Sequence, residues 1–515
     1  MKRLTYLSFF CILSSNSLSC ANSELLSTEK ITDNKVWISP QIKSIKDSKF
    51  IPITVWFDEQ FLGDGKAYNR RAKEFSNIGR RELRAKVITT LKGLNKKSFQ
   101  SVKQELRSLE KNGDIKGLQP RWIVNGFTCR ASPNAIQELT KIKGISKIFG
   151  PIKRSQNQIP PGKPSAVTKI DRPTTYTTNN LPWYISKLKA DQTWKQLGIT
   201  GKGTLNVIDD FNFVITPSLS RNIYSNPNEI PNNGKDDDNN GLIDDVHGFD
   251  FRVNSANLLT KELTGNIKKD RKALHGTSCA NIVCGPATQS GTPQFGIAPM
   301  SQWAGVMSGS NIEASVEWAI EQGADTYSMS FSKPGMGENR SHWRKVMEHG
   351  SFCGLFFVSG AGNFAQQAKV PIQMRIPEDI PEAVFAAAGV KKDLSRTPFS
   401  SKGPVEWMTH HYKDGRVQKP EVCAFNYEVP LLTPEGKVAK VTINGNSFAG
   451  PMFCGTISLM LSADPDLLPW ELKQIITSTA TDIAAPGVDY ETGHGLINCY
   501  AAVKEVLRQK KHKHK

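Results

Sequence analysis

Four polar residues of this chain stand in settings where nucleophilic chemistry on a serine hydroxyl would need them. A serine hydroxyl that attacks an acyl carbon needs a base to take its proton, a carboxylate to orient that base, and donors for the oxyanion. His275 opens His275-Gly276-Thr277-Ser278-Cys279-Ala280, where small residues let a helix start beside the imidazole. Ser447 lies in Gly445-Asn446-Ser447-Phe448-Ala449-Gly450-Pro451, at the head of an apolar helical run through Met460. A helix start brings free N–H groups and a positive dipole end. Gly445 and Gly450 permit close backbone approach, and Pro451 is tolerated in the first turns. Asp209 ends the run Leu205-Asn206-Val207-Ile208, where a carboxylate can meet an imidazole at the carboxyl edge of a sheet. Asn363 ends Val358-Ser359-Gly360-Ala361-Gly362-Asn363, and its amide can donate to an oxyanion beside the Ser447 N–H.

Such residues need a rigid frame, and the pattern beyond Trp183 supplies one. Apolar strands such as Leu205 to Ile208 and Leu355 to Val358 end in Gly or Asp and lead into helices, which suits a parallel sheet buried on both faces. The preceding part reads differently. Ile51, Ile53, Val55 and Phe57 alternate as a half-buried strand would, and Arg71 to Leu91 and Ser98 to Leu109 carry apolar residues at helical spacing. Trp122 to Ala131 is strand-like; Ser132 as cap, Pro133 and Gly144 bracket a further helix, and Ile145 to Phe149 closes with a strand. Residues 50–150 therefore form a small α+β unit. Pro151, Pro160, Pro161, Pro164 and Pro173 mark residues 151–182 as a linker.

The order Asp, His, Ser along the chain, with Asn363 between the last two, resembles the subtilisin-like serine peptidases. Gly201-Lys202-Gly203, Phe399-Ser400-Ser401-Lys402-Gly403-Pro404 and Lys419-Pro420-Glu421-Val422 are similar to the family's sequences as well. The resemblance covers about residues 183–505, and the unit before it resembles the family's inhibitory propeptide. It implies a doubly wound, mainly parallel α/β fold with flanking helices, a precursor that cleaves itself, and protein or peptide substrates bound as an added strand. Within Ser328-Met329-Ser330-Phe331-Ser332, residues Ser330, Phe331 and Ser332 match the segment that holds substrate backbone. Three departures stand out: Asp210-Phe211 after the catalytic Asp, Asn446 before the nucleophile, and Ser332 where Gly is common. Asp210 adds a charge that would raise the Asp209 pKa if both are buried. The competing reading is a catalytically impaired homologue that binds or scaffolds, for which these departures are the evidence.

The first residues read as an export signal, residues 1–21: Lys2 and Arg3, an apolar run from Leu4 to Leu13, then Ser17, Ser19 and Ala21. Lipid attachment at Cys20 would want an aliphatic residue where Ser17 stands. No later segment is long and apolar enough to span a membrane, so a secreted or cell-envelope monomer with residues 22–150 as propeptide is expected. Lys and Arg outnumber Asp and Glu by 66 to 48, but the basic runs, including the tail at 506–515, lack interleaved aromatics. No nucleic-acid partner is implied. The chain has nine cysteines. None shows zinc-ligand spacing, and those beyond the signal read as small core residues.

No organic cofactor is called for, but a cation is. Asp236-Asp237-Asp238-Asn239-Asn240-Gly241-Leu242-Ile243-Asp244-Asp245 resembles the start of an EF-hand-type calcium loop. Asp236, Asp238, Asn240, the Leu242 carbonyl and Asp244 are the expected oxygen ligands, with Gly241 at the turn. Five clustered carboxylates would repel one another without a cation. His247 stands where a closing Glu would be, so Asp245 is the alternative.

Overall fold

The computed structural model describes residues 25–513, apart from 34, 46–47, 152–169, 171, 174, 178–180, 260 and 287–293. The expected signal, Cys20 and most of the linker prolines lie outside the described residues.

Leu205–Asp209, Gly248–Asp250, Gln302–Met307, Thr326–Met329, Phe356–Gly360, Val384–Val390 and Val422–Phe425 form one seven-stranded sheet. Every neighbouring pair in it is parallel. The strands are short, mainly apolar runs buried along their whole length except at the half-buried Gln302, because helices cover both faces. Leu205–Asp209 is an inner strand, flanked by Gln302–Met307 and Thr326–Met329. The chain first builds one side, then crosses back to build the other, so the strand order reverses beside this strand. Crevices of such sheets open at the carboxyl ends of the strands next to that reversal.

Two helices begin at this edge of the sheet. His275–Cys284 packs against Asn446–Ala463, and the latter crosses the strands Phe356–Gly360, Val384–Val390 and Val422–Phe425. Gly450 is what lets it lie so low. A Cβ there would sit 2.7 Å from the Gly360 nitrogen, so only glycine allows backbone to rest on backbone.

The preceding unit has its own five-stranded sheet, in the order Trp37–Ile38, Ile145–Phe149, Ile51–Phe57, Gly126–Ala131, Ile115–Arg121. Helices Arg80–Ser101, Lys103–Lys111 and Pro133–Leu139 accompany it. Ser132 caps the last of these by accepting from the Ala135 nitrogen at 3.0 Å, as its position before Pro133 predicts. The helical stretch expected from Arg71 to Leu91 is two helices, Ala67–Glu74 and Arg80–Ser101, interrupted at residues 75–79. The edge strand Ile115–Arg121 has no alternating pattern because it is largely exposed and contains Gly117 and Pro120. The basic carboxyl end is also more structured than a free tail: helix Cys499–Lys513 runs through it, burying Val506 and pairing Lys513 with Glu471 at 2.6 Å.

The two units share buried polar contacts. Helices Ile312–Glu321 and Asn339–Phe352 face the five-stranded unit. The Trp56 indole donates to His342 Nδ1 at 3.0 Å, the Leu62 nitrogen to His349 Nε2 at 3.2 Å, and Arg80 pairs with Asp325 at 2.7 Å.

Candidate active site

Asp209 and Asp210 are adjacent at the end of strand Leu205–Asp209, and the structure sends them to different partners. Successive side chains leave a strand on opposite faces, so only one can meet the helix that begins at His275. That one is Asp210. His275 Nδ1 donates to its carboxylate, at 2.8 Å to Oδ2 and 3.0 Å to Oδ1. Asp209 is turned into the core, where its oxygens accept from the Ser308 nitrogen at 3.0 Å and the Tyr327 hydroxyl at 2.9 Å. The expectation that Asp209 orients the base is therefore corrected to Asp210. Burial pushes Asp209 up to about 6, against the hydrogen bonds from Ser308 and Tyr327; the anticipated repulsion from Asp210 is not the source.

His275 sits where the helix starts because Gly276 has no side chain. A Cβ there would lie 2.6 Å from the Asn212 carbonyl oxygen and 2.9 Å from the Asp210 Cβ. Phe211 stacks on the imidazole with ring centroids 5.3 Å apart, and Phe448 packs near it at the same distance. Burial alone would lower the His275 pKa, but the Asp210 charge and hydrogen bond outweigh it and hold the imidazolium well above the usual histidine range.

Ser447 is in the first turn of Asn446–Ala463. Its hydroxyl donates to the Ser330 carbonyl at 3.2 Å. Pro451 has no N–H to give to the Ser447 carbonyl four residues back, and two side chains replace it: the Ser330 hydroxyl donates at 2.9 Å and the Cys279 thiol at 3.5 Å. Cys279 is thus an internal donor whose pKa burial raises, and all seven described cysteines are buried and unbridged.

Asn446 is a buried cross-link. Its side-chain nitrogen donates to the Gly362 carbonyl at 2.6 Å and to Ser400 at 3.0 Å, and its oxygen accepts from Asn426 at 2.6 Å. Its backbone nitrogen donates to Asn363 Oδ1 at 2.8 Å. That bond fixes the Asn363 amide, leaving Nδ2 as the donor on the other side. Ser401 of the Phe399-Ser400-Ser401 stretch accepts from the Phe364 nitrogen at 2.9 Å, so this stretch shapes the site too. Ser330, Phe331, Ser332, Gly360, Gly362, Asn363, Phe364 and Ser447 line one cleft of about 110 Å³. The structure thus brings Ser447, Asn363 and the expected substrate-holding segment together.

The acidic loop is arranged otherwise than its spacing suggests. Asp236 caps a turn by accepting from the Asn240 and Gly241 nitrogens at 3.0 and 2.8 Å. Asp244 accepts from the Asn233 and Gly234 nitrogens at 3.0 and 3.1 Å. Asn240 Oδ1 accepts from the Leu242 nitrogen at 2.8 Å. Of the five expected ligands, only Asp238 joins an acidic cluster, with Glu229 and Asp245; their oxygens lie within 4.8 Å of one another. Glu229 Oε2 and Asp245 Oδ1 are buried with no hydrogen-bond partner. Burial, then the neighbouring carboxylates, push Asp245 up to about 6. Glu229 lies seven residues before the acidic run, so local spacing gave no signal for it.

The model of the subtilase family matches residues 204–495, more than half of the chain. The chain belongs to the subtilase family. This subtilase is 26% identical over 335 residues to a probable subtilase-type serine protease of Deinococcus radiodurans, covering 62% of this chain and 43% of that protein. It is 23% identical over 460 residues to bacillopeptidase F of Bacillus subtilis, covering 82% of this chain and 29% of that protein. It is 24% identical over 307 residues to a calcium-dependent protease of a Nostoc species, covering 51% and 45%. The subtilase described here thus spans less than half the length of these relatives.

Proposed function

We propose that the chain is a secreted serine endopeptidase made as a precursor. The observation that carries this is the Asp210 carboxylate on His275 Nδ1, at the carboxyl end of the sheet where Ser447 and Asn363 share one cleft. In the mechanism, neutral His275 takes the Ser447 proton through Nε2 as Oγ bonds to the substrate carbonyl carbon. Asp210 holds the Nδ1–H tautomer and stabilises the imidazolium. Asn363 Nδ2 and the Ser447 N–H receive the oxyanion. The imidazolium then protonates the leaving amine as the C–N bond breaks, and water, deprotonated by the same ring, releases the acyl group from Ser447. A fluorophosphonate should label Ser447 alone, and Ser447→Ala should abolish turnover. Labelling elsewhere, or full activity in that variant, would leave the impaired, binding-only homologue.

Residues 22–150 act in this reading as the intramolecular inhibitor and folding aid, released by cleavage in the 151–182 linker after the signal at 1–21 has directed export. Ser447→Ala expressed alone should accumulate as intact precursor. Its normal processing in a protease-free system would refute self-cleavage.

A calcium ion fits the Glu229, Asp238 and Asp245 cluster better than the set expected from spacing. Three carboxylates with two buried, unpartnered oxygens suit a hard cation with oxygen ligands. The name of the Nostoc relative, a calcium-dependent protease, points the same way. The ion would neutralise this cluster and tie down the insertion between Asp210 and His275.

A further inference from the structure

Glu378 is a buried acid that hydrolysis by Ser447 and His275 does not use. It is fully buried in the loop before strand Val384–Val390, and it stands directly behind the cleft that holds Ser447. Two cleft-lining residues touch its carboxylate. The Ser332 hydroxyl donates to Oε1 at 2.6 Å, and a Cβ on Gly362 would lie 2.7 Å from the same oxygen. Gly362 has a φ of +87°, so a side chain there would be strained as well as crowded, and the acid meets glycine rather than a side chain at that point. Oε1 also accepts from the Arg375 nitrogen at 3.1 Å, whereas Oε2 is buried with no partner.

We infer that Glu378 makes this cleft selective for a positively charged substrate side chain, Lys or Arg, on the residue whose carbonyl Ser447 attacks. The inference rests on the peptidase reading. Oε1 is the oxygen on the cleft side, and a cationic group entering the cleft would offset the cost of burying this carboxylate. The cleft's volume of about 110 Å³ accommodates one side chain, and its walls near Ser447 are the Phe331 and Phe364 rings, glycine backbone and hydroxyls, which suit an alkyl stem with a polar head. The nearby cation does not fill the role: the Arg375 guanidinium lies over the Phe364 ring at 3.6 Å, and no salt bridge joins it to Glu378 among the described residues. Burial raises the Glu378 pKa to about 8, against the Ser332 hydrogen bond. An arriving ammonium or guanidinium therefore displaces a proton to solvent and leaves an ion pair.

The test compares peptides identical except at that position, carrying Lys, Arg, norleucine or Phe, with the full chain as enzyme. kcat/KM for Lys and Arg should exceed that for norleucine by about ten- to a hundredfold, the range for a hydrogen bond to a charged group. In Glu378→Gln the Lys-to-norleucine ratio should collapse by at least about tenfold. Inactivation of the unaltered chain by lysyl and norleucyl phosphonates gives the same ratio without a variant that must fold. Equal handling of Lys and norleucine, or a ratio unmoved in Glu378→Gln, overturns the inference while leaving the peptidase reading intact. No cleavage of any peptide together with no labelling of Ser447 overturns both.

Discussion

The region around Ser447 and His275 and the acidic loop between Asp210 and His275 both gather carboxylates, yet they spend their hydrogen bonds differently. Around Ser447 and His275 the buried polar groups are closed on one another, with Glu378 Oε2 behind the cleft an exception: Asp209 by Ser308 and Tyr327, Asp210 by His275, Asn446 by Gly362, Ser400 and Asn363, the Ser447 carbonyl by Ser330 and Cys279. In the loop, Asp236 and Asp244 are closed on backbone, but Glu229 and Asp245 each keep a buried oxygen without a partner. A closed network holds side chains in one geometry before substrate arrives, as catalysis requires. A leftover oxygen is one that a water, an ion or a ligand can still partner.

The sharpest way to break this comparison is to treat the two adjacent acids as equivalents. Asp210→Asn should lower kcat by about 10⁴-fold, because the wrong imidazole tautomer is then favoured. Asp209→Asn should instead cost stability, about 1–3 kcal/mol, with its main effect on the denaturation midpoint. Steady-state kinetics beside urea unfolding of both variants separates them, and a reversed ranking would restore Asp209 to the base.

The pH profile adds a sign. His275 must be neutral to act as base, and Asp210 holds its pKa well above 6.5, so kcat/KM should climb with pH across the alkaline side of neutrality. In Asp210→Asn the residual activity should show that limb shifted to lower pH. The same ion pair stabilises the fold below the unfolded histidine pKa, and that contribution drains as pH rises through the folded value.

For the loop, a chelator should lower the thermal midpoint of Ser447→Ala by several degrees. Glu229→Gln with Asp238→Asn should remove most of that response, whereas Asp236→Asn should leave it largely in place. An unchanged midpoint across a calcium titration would reduce the cluster to an acidic turn.

The smallest effect concerns the contact between the two units. His349 is buried and neutral, accepting from Leu62 on Nε2 while Nδ1 faces the Ile123 carbonyl, and burial lowers its pKa to about 3. Its contribution to stability is complete above the unfolded value of 6.5 and is lost as pH falls toward the folded one. Glu317, which accepts from the Ile123 nitrogen, runs the other way: burial raises it to about 7, so it adds stability as pH falls. The midpoint difference between neutral and mildly acid solution should therefore shrink in His349→Gln and widen in Glu317→Gln. Equal slopes in both variants would remove these groups from the acid response.

Much of the frame was legible because it follows from local rules. Buried parallel strands are apolar throughout, which singled out Leu205–Asp209 and Phe356–Gly360. The cap at Ser132 was readable as short-range chemistry, as were the glycines around Ser447 that a helix lying on backbone requires. The edge strand Ile115–Arg121 was not, since exposure erases alternation.

By itself the sequence determined the class of fold and singled out Asn363 and Ser447, which share one cleft, and His275, which meets an aspartate, because each lies in a local setting that serves only a narrow purpose. Which aspartate faces the imidazole depends on strand phase relative to a helix 65 residues away, and two adjacent acids look alike until that helix is placed. The same holds for Glu229 with Asp245 and for Glu378 behind Ser332. Each pairing joins groups distant in the chain, and only tertiary packing decides whose lone pairs are already taken and whose remain to be filled.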